Sequence, residues 1–89
     1  MSDLTEDLGR AAHGDRRAFA RVYDSTSPCA YRLALCIAHD RELAQRLVVD
    51  SYCEAWRTAA ENRTSGMSVR AWLMEIVHRR ARASLTPDP

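Results

Sequence analysis

Not one of the thirteen basic residues in this 89-residue chain is a lysine. All are arginine, which leaves two readings open: codon bias from a GC-rich genome, or use of the planar guanidinium for bidentate contacts to phosphate or carboxylate. Glycine and proline are scarce, three of each, beside 46% hydrophobic and 28% charged residues. That balance excludes a largely disordered or collagen-like chain. No apolar run approaches the ~20 residues that span a bilayer. The opening residues, Met-Ser-Asp-Leu-Thr-Glu-Asp, are acidic where a signal peptide is basic. A cytoplasmic protein with no membrane partner is expected. Catalytic signatures are also missing, with no Gly-x-Ser-x-Gly elbow, no His-Glu-x-x-His pair and no phosphate-cradling glycine loop. The chain reads as a non-enzyme.

Cysteine is present without a pairing pattern: Cys29, Cys36 and Cys53 form no Cys-x-x-Cys motif. On one helix Cys29 and Cys36 would lie two turns apart, roughly 10 Å, too far for a disulfide. All three read as small, reduced, buried hydrophobes. His13, His39 and His78 do not fall at metal-ligand spacing with each other or with the cysteines, so neither a metal nor a cofactor is expected.

What is present is helical periodicity in one small domain, residues 1–85, followed by Thr86-Pro87-Asp88-Pro89 as a tail or the start of a linker. No strand-like alternation or internal repeat occurs, and the fold class is all-α, a bundle of about four helices without a sheet. Ser2 or Asp3 caps a first helix through Ala12, with Glu6 and Asp7 as a solvated acidic first turn. Asp15 caps a second helix to Ser25, whose inner face is Phe19, Val22 and Tyr23. Ser25-Thr26-Ser27-Pro28 predicts a break or kink, with Ser27 capping a new helix from Pro28 to Ala38. That helix is apolar except at Tyr31 and Arg32 and is expected to be central. Asp40 caps a long helix from Arg41 to about Ala60, with an inner stripe of Ala44, Leu47, Val48, Ser51 or Tyr52, Ala55, Trp56 and Ala59. Val49 and Cys53 fall on the outer face of that helix. Either the stripe is misplaced or a partner covers them. Glu61 to Ser68 reads as a polar loop around Gly66, and Ser68 caps a last helix to about Leu85.

Charge divides along the chain. Met1 to Trp56 carries seven arginines against nine acids, whereas Arg57 to Leu85 carries six against two. In the last helix an apolar stripe of Val69, Trp72, Leu73, Ile76, Val77 and Ala81 runs beside Arg70, Arg79, Arg80 and Arg82. Guanidinium groups pair with phosphate and stack on bases, and a polar loop supplies donors and acceptors for a base edge. A nucleic-acid strand could lie along this edge. The other reading is a solvated arginine face with Trp56 and Trp72 as plain core.

Taken in order, Gly14-Asp15-Arg16-Arg17-Ala18-Phe19-Ala20-Arg21-Val22-Tyr23-Asp24, Ser27-Pro28, Tyr31-Arg32-Leu33-Ala34-Leu35, Arg41-Glu42-Leu43-Ala44, Tyr52-Cys53-Glu54-Ala55-Trp56-Arg57, Ala71-Trp72-Leu73 and His78-Arg79-Arg80-Ala81 resemble region 2 of extracytoplasmic-function (ECF) sigma factors. The resemblance covers nearly the whole chain. It implies a helical domain that binds the RNA polymerase clamp helices and recognises and melts the promoter minus-ten element, with an anti-sigma factor as a further partner. Gln45, Arg46, Val49, Asp50, Cys53, Glu54 and Arg57 would then face the polymerase. The segment holding Asn62, Arg63, Thr64, Ser65 and Met67 would receive a flipped base, and Arg70, Trp72, His78, Arg79 and Arg82 would hold the non-template strand. Departures from the family pattern are specific. Where the family usually has Ala-Glu-Asp and then Gln-Glu, this chain has Ala44-Gln45-Arg46 and Val49-Asp50, and Ala83 stands where an Asp is usual. Arg46 reverses a charge. A second reading follows from these changes, a sigma-like interaction module that binds an anti-sigma factor or another transcription protein without reading a promoter.

Overall fold

The structure, a computed structural model, describes residues 4–85. Among them it has helices and no strand: α1 (Leu4–Ala11), α2 (Arg16–Ala38), α3 (Arg41–Arg57), a 3-10 turn (Ala59–Glu61), the four-residue α4 (Asn62–Ser65) and α5 (Val69–Ser84). The expected all-α class is what is found. The proposed caps at Ser2 or Asp3 and the tail from Thr86 lie outside the described residues.

Three predicted caps hold their helices. Asp15 Oδ1 accepts from Ala18 N at 3.1 Å, Asp40 Oδ1 from Leu43 N at 3.1 Å, and Ser68 Oγ from Ala71 N at 3.1 Å. Each satisfies one amide that the first helical turn leaves without a partner. At the far end of α2, His39 takes the left-handed conformation, φ 56°, and its N–H donates to Leu35 O. Gly66 ends α4 with φ 73°, a conformation costly for a residue with a Cβ.

The expected break at Ser25–Pro28 does not occur, and α2 runs unbroken through Pro28. Proline deletes one hydrogen bond and crowds the preceding turn, a cost of about 3 kcal/mol. Packing outweighs it. Ala18, Val22, Thr26, Ala30 and Ala34, spaced four apart across the proline, are all fully buried. A break would turn the second half of that stripe away from its neighbours. Ser27 therefore caps nothing. Thr26 turns its hydroxyl inward, donating to Val22 O at 2.7 Å and pairing with the Tyr52 hydroxyl.

The second half of α2 is less central than expected. Only Ala30 and Ala34 are buried there, while Leu33, Leu35 and Ile37 are half-buried and Cys36 is exposed. Ala30 and Ala34 continue the fully buried stripe, while Leu33, Leu35, Ile37 and Ala38 flank it and pack against the core only in part. Cys53 is exposed and Cys29 only half-buried, so burial of the three cysteines is corrected.

α3 stops at Arg57, short of Ala60: Thr58 leaves the helical conformation at φ −116° and ψ 19°, while its hydroxyl and N–H both donate to Glu54 O at 2.8 and 2.9 Å. The predicted loop from Glu61 is replaced by the 3-10 turn and α4 up to Ser65, leaving a short link to Ser68. Asp7 is a further correction. It is buried rather than solvated, and Arg21 donates to its Oδ1 from Nε at 3.1 Å and from Nη2 at 2.9 Å. That ion pair fastens α1 to α2. The core itself combines Leu8, Val22, Leu47, Val48, Tyr52, Val69, Trp72, Leu73, Ile76 and Val77, drawn from four helices.

Candidate functional site

α5 separates apolar from basic residues around its circumference. Val69, Trp72, Leu73, Ile76, Val77 and Ala81 are buried, the stripe expected from their spacing. Arg70, His78, Arg79 and Arg82 are exposed and Arg80 is half-buried. Trp72, at 8% exposure, belongs to the core, so its ring is not placed to stack on a base. The aromatic part of the expected strand surface is thereby removed and the arginine part remains.

The arginines are not all free. Arg79 Nη2 donates to Glu54 Oε2, and Arg80 Nε donates to Glu54 Oε1 at 2.8 Å. One carboxylate on α3 thus serves two guanidinium groups on α5. Partial burial pushes the Glu54 carboxyl up, the two arginine hydrogen bonds pull it down, and the net result lies below the ordinary carboxylate value. Arg70 reaches the other way, with Nη1 3.4 Å from Cys29 Sγ and Nη2 3.5 Å from Ser25 O.

The segment before α5 spends most of its polar groups on itself. Asn62 is buried and its Nδ2 donates to Met67 O at 3.3 Å. Ser65 Oγ donates to Asn62 O at 2.8 Å and accepts from Met67 N at 3.0 Å, and Thr64 Oγ1 donates to Glu61 O at 3.2 Å. Asn62 thus braces the turn from inside. Arg63, Thr64 and Ser65 remain on the surface, and Met67 is half-buried.

On α3 the outer face is as expected. Gln45, Arg46, Val49, Asp50, Cys53 and Arg57 are exposed, Val49 by 56%. Glu54 alone of the seven turns sideways, to α5. An open groove of about 600 Å³ is lined by Glu42, Gln45, Arg46, Val49 and Asp50. Beside it lies an apolar groove of about 420 Å³ between α2 and α3, lined by Phe19, Tyr23, Val49, Tyr52, Cys53, Trp56 and Arg57.

Sequence reasoning missed that apolar groove. Phe19 and Tyr23 were expected inside, and they instead form its rim, with Tyr23 40% exposed. Phe19 meets Trp56 edge-on at 5.3 Å and Tyr23 meets Tyr52 edge-on at 4.8 Å. The signal was available in two aromatic pairs spaced four apart, Phe19/Tyr23 on α2 and Tyr52/Trp56 on α3, which mark adjoining rows where two helices cross.

Comparison with known proteins finds relatives over most of the chain. The chain is 38% identical over 80 residues to the ECF RNA polymerase sigma factor SigK of Mycobacterium tuberculosis (strain ATCC 25618 / H37Rv), covering 90% of this chain and 43% of that protein. Over that stretch the chain is similar to part of an ECF sigma factor. The SigK of Mycobacterium ulcerans (strain Agy99) is 37% identical over 79 residues, 89% of this chain and 42% of its own length. That of Mycobacterium sp. (strain KMS) is 32% identical over 80 residues, 90% of this chain and 42% of its own. The chain spans about two fifths of the length of the curated relatives it matches. No protein-family model matches it. No solved structure matches it. Among the described residues no helix is long and apolar enough to cross a membrane, and no cluster of three or more potential metal ligands occurs.

Proposed function

We propose that residues 1–85 act as region 2 of an ECF sigma factor in transcription initiation, docking on core RNA polymerase and recognising and melting the promoter minus-ten element. The observation that carries this reading is relatedness over 90% of the chain to proteins named as ECF RNA polymerase sigma factors. Two surfaces support it. The outer face of α3, with Gln45, Arg46, Val49, Asp50, Cys53 and Arg57 exposed, suits the polymerase clamp helices. Its neighbouring apolar groove adds the desolvated contact that a stable docking site needs.

The exposed groups Arg63, Thr64, Ser65, Arg70, His78, Arg79 and Arg82 suit the non-template strand. Extruding a base from the duplex costs a few kcal/mol, and arginine contacts to phosphate release counterions that help repay it. Asn62 and Trp72 would serve this surface from beneath, one bracing the turn and the other anchoring α5. Binding and positioning account for the whole activity, with no chemical step of the chain's own. It would work in the cytoplasm with an anti-sigma factor as a regulatory partner.

One observation favours a second reading. Arg46 is exposed in the middle of the α3 face, where the family usually carries an acid. An interaction module that binds an anti-sigma factor or another transcription protein without promoter recognition would tolerate that reversal. Pull-down of core RNA polymerase, with fluorescence binding to a minus-ten non-template oligonucleotide, separates the two. The first reading expects both to bind and fails if neither does. Polymerase binding without DNA binding selects the second.

A further inference from the structure

Among the described residues Glu54 is the one acid paired with the arginine edge of α5, and its placement is asymmetric. Its side chain is 17% exposed, whereas those of Arg80 and Arg79 are 32% and 58% exposed. The carboxylate lies beneath and the guanidinium groups lie in front. Two oxygens at fixed separation, each accepting from a different arginine, also reproduce what a bridging phosphate would offer. A phosphate that approaches Arg79 from solvent must meet a carboxylate already on the same guanidinium. Like charges at such separations repel even in water, and more strongly near a protein surface.

We propose that Glu54 is a built-in competitor of nucleic-acid phosphate for Arg79 and Arg80, which lowers the affinity of the basic edge for any strand. This inference rests on the reading of Arg79 as a phosphate contact. It goes beyond that reading in two ways. Glu54 is moved from the polymerase face to the DNA edge, and part of the positive charge of α5 is held in reserve. A strand that displaces Glu54 gains two unshared guanidinium groups, and one that cannot displace it meets a surface one charge less positive. The edge would then bind weakly by default, and only a strand fixed by other contacts would be gripped.

The test is E54Q in the 89-residue chain, which keeps the shape and removes the charge. Binding to a fluorescent minus-ten non-template oligonucleotide and to a scrambled strand of equal length is measured across a salt series. E54Q should bind both strands several-fold more tightly at low salt. The slope of log affinity against log salt should steepen by about 0.7 to 1.4, one to two further phosphates at about 0.7 each on a single strand. An unchanged slope, or weaker binding, overturns the competition. Equal binding of both strands by the unaltered protein would overturn the promoter reading instead, while the slope still decides the role of Glu54.

A heparin column makes the comparison without nucleic acid: E54Q should elute at higher salt, and co-elution counts against the proposal. If E54Q does not fold, the unaltered protein supplies the readout through carbon-13 NMR of the Glu54 carboxyl. Saturating oligonucleotide should move its titration up toward the ordinary carboxylate range as the arginines leave it. No movement overturns the proposal.

Discussion

Two carboxylates each join a pair of helices in this bundle, and they do it differently. Asp7 on α1 has one partner, Arg21, which makes both of its bonds to Oδ1, while Oδ2 is buried without a hydrogen bond. Glu54 on α3 has two partners, Arg79 and Arg80, one for each oxygen. The first arrangement joins two helices and leaves an acceptor to spare in the acidic part of the chain. The second joins two helices and also cancels charge on the edge where cations matter. Identical chemistry acts as a fastening in one place and as a control on binding in the other. What decides the difference is how many arginines share the acid, since Arg21 at 48% exposure faces solvent as Arg79 and Arg80 do at 58% and 32%.

The sharpest way to break this comparison is to remove Arg21. Arg21→Ala strands the Asp7 carboxylate, 5% exposed, with no cation. Stranding a buried charge costs more than removing that charge together with its need for a partner. Urea unfolding should show Arg21→Ala as the most destabilised single variant in this set, worse than Asp7→Asn. The reverse order would mean that Asp7 is already hydrated. The sharing of Glu54 predicts non-additivity. Arg79→Ala alone should cost under about 1 kcal/mol, because Arg80 still holds the carboxylate. Arg79→Ala with Arg80→Ala leaves it unpaired and should cost about 1 to 3 kcal/mol. A double-mutant cycle checks this, and strict additivity would dissolve the shared site. The neutral pair of Thr26 and Tyr52 serves as a reference. Tyr52→Phe should cost about 1 kcal/mol, since Thr26 keeps its bond to Val22 O.

Legibility in the sequence followed distance along the chain. Asp15, Asp40 and Ser68 were readable as caps because each bonds an amide three residues on. The inner stripe of α5 was readable because helical period alone specifies it. Pro28 was misread because a local rule worth a few kcal/mol met a stripe of five buried residues that no local rule weighs. The ion pairs were out of reach. Asp7 and Arg21 are 14 residues apart, and Glu54 and Arg79 are 25 apart. The basic end of the chain was therefore visible as a count of charges, while its partial neutralisation by Glu54 was not. The same limit explains Asn62 and Trp72. Both lie in the segment expected to meet DNA, yet their side chains are used within the fold.

The last and smallest effect expected is in acid. The Glu54 carboxyl lies below the ordinary value because the arginine bonds outweigh its partial burial. A carboxylate depressed in the folded state adds stability that is complete above its unfolded value, near 4.3 for Glu, and that fades as pH falls through the folded value. Stability by urea unfolding should thus decline with acid in the unaltered protein more than in E54Q, with the difference confined to pH below about 4.3. Arg79→Ala, which removes one of the two bonds, should fall between them. If the curves of E54Q and the unaltered protein stay parallel through that window, the bonds to Glu54 add nothing to the fold. Its arrangement with Arg79 and Arg80 would then be maintained for binding alone, which separates it still further from Asp7.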